Sequence, residues 1–211
     1  VSVGHDHLNV SGERSETTVD EDGSKHTVGG TGGLKMDGKK KTATISAGLT
    51  TADTDADGNK STTATSGSVM FNEDGRIGTV GGDHASTETT ATGTTSHTDK
   101  LKVDTKKGTA SLVDEHKSTV KNEDGTSVSD TTKTTVDVNA NDPSVKAKVA
   151  NENKETAADG SSVADRIGVS GGVSGDGMSV GVSGGQTTTD ASGNALKHDE
   201  KVDFSMTGDK T

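Results

Sequence analysis

The chain has 211 residues with 33 acidic and 22 basic side chains, a formal net charge of −11, so it lacks the basic surface that nucleic-acid binding needs. Hydrophobic residues make up only 25%, Trp and Tyr are absent and Phe occurs only as Phe71 and Phe204, which argues against a thick two-layer core. With no cysteine there is no disulfide framework or thiol chemistry, and no apolar run approaches the ~20 residues of a membrane-spanning helix.

Reading from Val1, turn signals punctuate the chain at a nearly even pitch of roughly 17 residues. They run Asp20-Glu-Asp-Gly23, Met36-Asp-Gly-Lys39, Asp55-Ala-Asp-Gly58, Asn72-Glu-Asp-Gly75, a weak member near Thr92 to Ser96, and Thr105-Lys-Lys-Gly108. Asn122-Glu-Asp-Gly125, Asn139 to Pro143, Ala158-Asp-Gly160, Gly175-Asp-Gly177 and Asp190-Ala-Ser-Gly193 complete the series. Nearly all contain Gly, which reaches positive φ without strain; Asn or Pro serves in the turn without it. Low hydrophobicity is also a mark of disorder, but so regular a pitch is not.

The segments between turns are rich in Thr, Val and Ser and alternate with period two. Ala43, Ile45, Ala47 and Leu49 share one face while Thr42, Thr44, Ser46 and Gly48 share the other. The same alternation places Ile45, Val69, Leu101, Val138, Val149, Val169, Val180 and Val202 on one side of their strands, facing inward or toward other protein. No 3.6-residue pattern appears. The expected fold is all-β: an antiparallel up-and-down meander of about twelve long strands in hairpin units of roughly 35 residues. Closure into a barrel would remove the edges of such a sheet, with a β-solenoid as the alternative. Turns at one end read as long and polar (residues 17–27, 50–63, 86–98, 117–131, 151–163 and 187–198), those at the other as tight. Residues 1–211 read as a single repetitive domain, and the absence of an initiator Met suggests a fragment of a longer chain.

For chemistry, Asp53-Thr-Asp55-Ala-Asp57-Gly58 matches the opening of a calcium loop, with hard oxygens at alternate positions and Gly at the sixth. The twelfth position is Ala64 rather than a bidentate Glu, and no helices flank the loop. The competing reading is a plain Asp/Gly hairpin tip. His5-Asp6-His7 offers a half-site for Zn²⁺ or Cu²⁺, and the other histidines are scattered. The glycine-rich stretches at Gly29 to Gly33 and Gly168 to Gly185 open no helix, so they suit close backbone approach or strand curvature, not phosphate. No nucleophile elbow or zinc-protease motif appears, so the chain is not expected to be an enzyme.

The expected function is therefore a non-enzymatic exported β-scaffold: a fibre, matrix or adhesin segment, or the passive body of a secreted effector. It would work outside the cytoplasm or in a secretion device, with other protein subunits as partners. The alternatives are a membrane-spanning barrel or pore, which lacks aromatic girdles here, and a weak calcium-dependent module resting on Asp53, Asp55 and Asp57.

Overall fold

The computed structural model describes residues 1–4 and 6–207. Thirteen strands form one sheet, and each pairs antiparallel with its chain neighbours. They are β1 (Ser2–Gly4), β2 (His7–Val19), β3 (Lys25–Asp37), β4 (Thr42–Thr54), β5 (Lys60–Phe71), β6 (Ile77–Thr90) and β7 (Gly93–Asp104). The second half comprises β8 (Thr109–Lys121), β9 (Ser127–Asn139), β10 (Ser144–Thr156), β11 (Ser162–Ser174), β12 (Gly177–Thr189) and β13 (Ala195–Thr207). No helix occurs among the described residues. The expected all-β meander of long strands is what forms, with the short β1 added at one edge.

One loop design recurs. In residues 20–24, 55–59, 72–76, 122–126, 157–161 and 190–194, the first residue's N–H donates to the fifth residue's carbonyl. The fourth residue is a glycine whose N–H donates back to the first residue's carbonyl. Those glycines have φ of 71–87° (Gly75 lowest; Gly23, Gly160 and Gly193 highest), which side-chain-bearing residues rarely adopt. The anticipated long polar turns are thus only five residues, and the weak one shrinks to Ala91 and Thr92 before Gly93. Their flanking threonines belong to strands, because a β-branched chain suits the pleat and the turn itself needs only its Asp-Gly centre.

The sheet is open, contrary to the expected closure. β1 and β13 lie at opposite edges, and among the described residues no contacts join them. Barrel closure requires the register to stagger steadily from strand to strand. Here strands pair along nearly their whole length, as when Ser144 meets both Asn139 and Ser174, so little stagger accumulates. One register shift is present, where Met70 and Phe71 oppose Thr79 and Ile77.

A single layer has no interior. Among the described residues no hydrophobic side chain is fully buried. The backbone ladder and cross-strand side-chain pairs hold the sheet, the latter at about 0.2–1 kcal/mol each.

Candidate functional site

Because directly paired residues share a face, the registers fix what each side of the sheet presents. One row runs Val10, Leu34, Ile45, Val69, Val80, Val103, Ala110, Val138, Val145, Val173, Met178 and Met206, unbroken from β2 to β13. The adjacent row on the same face also lacks polar side chains. It reads Gly12, Gly32, Ala47, Gly67, Gly82, Leu101, Leu112, Val136, Ala147, Gly171, Val180 and Phe204. The row on one side is apolar at Gly30 and Leu49 and again at Val149, Val169, Val182 and Val202, and the row on the other side at Leu8, Met36, Ala43 and Phe71. All eight residues assigned to one face from their spacing do lie on it. Among the described residues nothing covers that face: Val180 is 47% exposed and Phe204 67%.

Positive charge is segregated as sharply. Every lysine within a strand lies on the opposite, Thr/Ser-rich face, where Lys133 pairs with Glu115 at 3.0 Å and Lys201 with Asp203 at 2.8 Å. Arg14 is the one Lys or Arg in a strand of the apolar face. The two complete rows hold no charged side chain of either sign, as a band that leaves water requires.

Midway along the sheet, next to the apolar band, the same face gathers titratable groups. Asp99 sits directly opposite Asp114, an unfavourable like-charge pair, and His97 opposite His116. The imidazole relieves the repulsion: His97 Nε2 lies 3.1 Å from Asp114 Oδ2 and 3.3 Å from Asp99 Oδ1. Its hydrogen bond to Asp114, reinforced by the charge of Asp99, raises the His97 pKa above its usual value. The His116 ring stands edge-on to that of His97, centroids 6.2 Å apart, and His84 Nδ1 lies 2.9 Å from Thr65 Oγ1. Among the described residues, His97, Asp99 and Asp114 are the one group of three such side chains whose ligand atoms all lie within 4.8 Å of one another. One imidazole nitrogen and two carboxylate oxygens are a donor set suited to Zn²⁺, with a fourth position to be filled from elsewhere.

This cluster was not evident in the sequence, where its histidines read as scattered. Folding the hairpin about residues 105–108 is what sets His97 against His116 and Asp99 against Asp114. The predicted calcium residues are not drawn together. Asp53 lies in β4 with its carboxylate against His26 Nδ1. Asp55 turns back into its own loop: Oδ1 accepts the N–H groups of Asp57 and Asn59 at 3.0 and 2.8 Å, and Oδ2 accepts Asn59 Nδ2 at 2.8 Å. Chiefly the Asn59 side chain holds the Asp55 pKa below the ordinary carboxylate range. Asp190 plays the same part with Asn194. Of the predicted His5-Asp6-His7 half-site, His5 lies outside the described residues.

No family model, curated protein or solved structure matches the chain.

Proposed function

We propose that this chain is a non-enzymatic exported β-scaffold, a structural subunit whose apolar face is covered by protein in an assembly. The observation that carries the reading is the pair of unbroken apolar rows across twelve strands, left bare by the chain itself. Exposed apolar patches beyond a few hundred Å² mark interaction surfaces. Two rows spaced by about 7 Å along strands about 4.8 Å apart cover roughly 55 × 14 Å, well beyond that threshold. A fibre, matrix or secreted-effector body built from such sheets would present its Lys/Thr face to solvent.

A membrane-spanning barrel is the second reading, favoured by the same apolar/polar segregation. The height of the band opposes it. Two complete rows give about 14 Å, and strand tilt reduces that further, whereas an outer-membrane barrel presents an apolar band about 25 Å tall. The chain also has no Tyr or Trp to place at the interfaces.

Light scattering in plain buffer tests the choice. The scaffold reading predicts particles heavier than the 21.2 kDa chain and no dye release from vesicles. A monomer in buffer that releases dye from vesicles would make the pore the correct reading.

A further inference from the structure

We infer that the cover is a second copy of this chain, packed apolar face to apolar face about a two-fold axis parallel to the strands. This rests on the scaffold reading above and names its partner.

Area is the first argument. The two complete rows offer about 770 Å² per copy from strand and row spacings, close to the ~800 Å² that each partner contributes to a standard stable interface. The partial rows beside them enlarge it.

Shape is the second. A two-fold contact must be self-complementary, so a hollow on one half of the face needs a ridge on the other. The second row provides this. Over β2–β6 it is a trough of Gly12, Gly32, Ala47, Gly67 and Gly82, while its large side chains lie over β7–β13. With the axis between β7 and β8, Leu101 meets the other copy's Leu112, and Val136 enters over Gly82. Val180 falls over Gly32, and Phe204 over Gly12. The roughly 30° crossing of stacked sheets shifts the outermost of these pairs by more than one row and leaves the central ones, Leu101 with Leu112 and Val136 with Gly82, in place. A Cβ added at Gly12 or Gly32 would meet nothing within 4 Å in the chain, so the trough is empty space.

The chain is poorly built to fill the trough itself. A sheet folds back on itself at bulges and bends, and the registers of β6 with β7 and of β7 with β8 run unbroken. Lipid fits less well than protein. Beyond the band this face carries carboxylates on most strands against the single cation Arg14, which disfavours an anionic bilayer surface. In a dimer most of those carboxylates lie at the rim, in water, where salt screens their repulsion; beside the axis Asp99 meets the other copy's Asp114, with a His97 imidazole against this acid pair in each copy.

Sedimentation velocity on the full chain at about 50 µM, well above the Kd of an ordinary stable interface, tests the inference. Wild type is expected to sediment at twice the chain mass. Gly82→Val fills the trough near the axis, where a Cβ meets nothing closer than 3.8 Å, so it should retain the sheet signal in far-UV circular dichroism yet weaken association about tenfold or more. Adding Val136→Gly to Gly82→Val removes the opposing side chain and should restore the dimer. A wild type that assembles but ignores Gly82→Val overturns this contact and leaves the scaffold reading standing. A monomer that binds only a basic protein partner overturns it likewise. A monomer that instead permeabilises vesicles overturns the scaffold reading as well.

Discussion

The six repeated loops make a sharp prediction at Gly160, whose φ is +87° with nothing within 4 Å of the place a Cβ would occupy. A substitution there meets no steric neighbour, so its whole effect comes from the backbone. Holding an L-residue in the left-handed region costs about 1–2 kcal/mol. Ala recovers about 0.4–1 kcal/mol of that by restricting the unfolded chain. Gly160→Ala should therefore destabilise by about 1 kcal/mol. Gly160→Asn should cost less, because Asn tolerates this region, and Gly160→Val more, because its branched Cβ does not. With a urea slope of about 2 kcal/mol/M, the Ala variant should shift the unfolding midpoint down by about 0.5 M at fixed protein concentration. If Val and Asn prove equal to Ala, the left-handed turn does not govern this loop and the reasoning fails.

Three further outcomes follow from the titratable groups. His97 should titrate above 6.5 by NMR, and Asp114→Asn should bring it down, since that hydrogen bond is the main cause of the rise. Its folded pKa being raised, the stability it contributes is complete below the unfolded value and disappears as pH climbs through the folded one; Asp114→Asn should therefore destabilise at pH 5, and at pH 9 it should instead relieve the repulsion from Asp99. The turn carboxylates behave oppositely. Asp159 is held low by the Ser161 side chain and backbone, as Asp124 is by Thr126, so their contribution is present above the ordinary carboxylate pKa and is lost as pH falls through the lowered one. Asp159→Asn should flatten the acid limb of the stability profile. Calorimetry with millimolar Ca²⁺ should give no heat, because Asp55 is committed to its loop; heat that vanishes in Asp55→Ala would establish Asp53, Asp55 and Asp57 as a calcium loop.

What the sequence disclosed was local. Asp-Gly centres located the turns, and period-two alternation assigned Ile45, Val138 and Val180 to one face, because both signals depend on neighbours a few residues apart. Loop length was misjudged where threonine ran up to the turn, since Thr is polar in composition yet a strand former in geometry. Closure was misjudged because it depends on stagger summed over many pairings, as at Ser144, and no single segment reveals that sum. The His97 cluster was missed because Asp114 and His116 come to it from another strand, and only the register brings them together. Asp55 was ambiguous for a related reason: alternating acids before Gly serve a cation and a hairpin loop equally well, and here the Asp55 carboxylate bonds Asn59.

The account turns on one face of the sheet being covered and the other wet. The chain has no cysteine, so single cysteines can report each face without background. Asp137 and Val138 are neighbours in β9 that point to opposite sides. Asp137→Cys should react with a maleimide at nearly the rate of a free peptide thiol, while Val138→Cys should react at least about tenfold more slowly in the assembled protein. Equal rates at the two positions would mean that the apolar face stands bare in solution, and the central claim would be wrong.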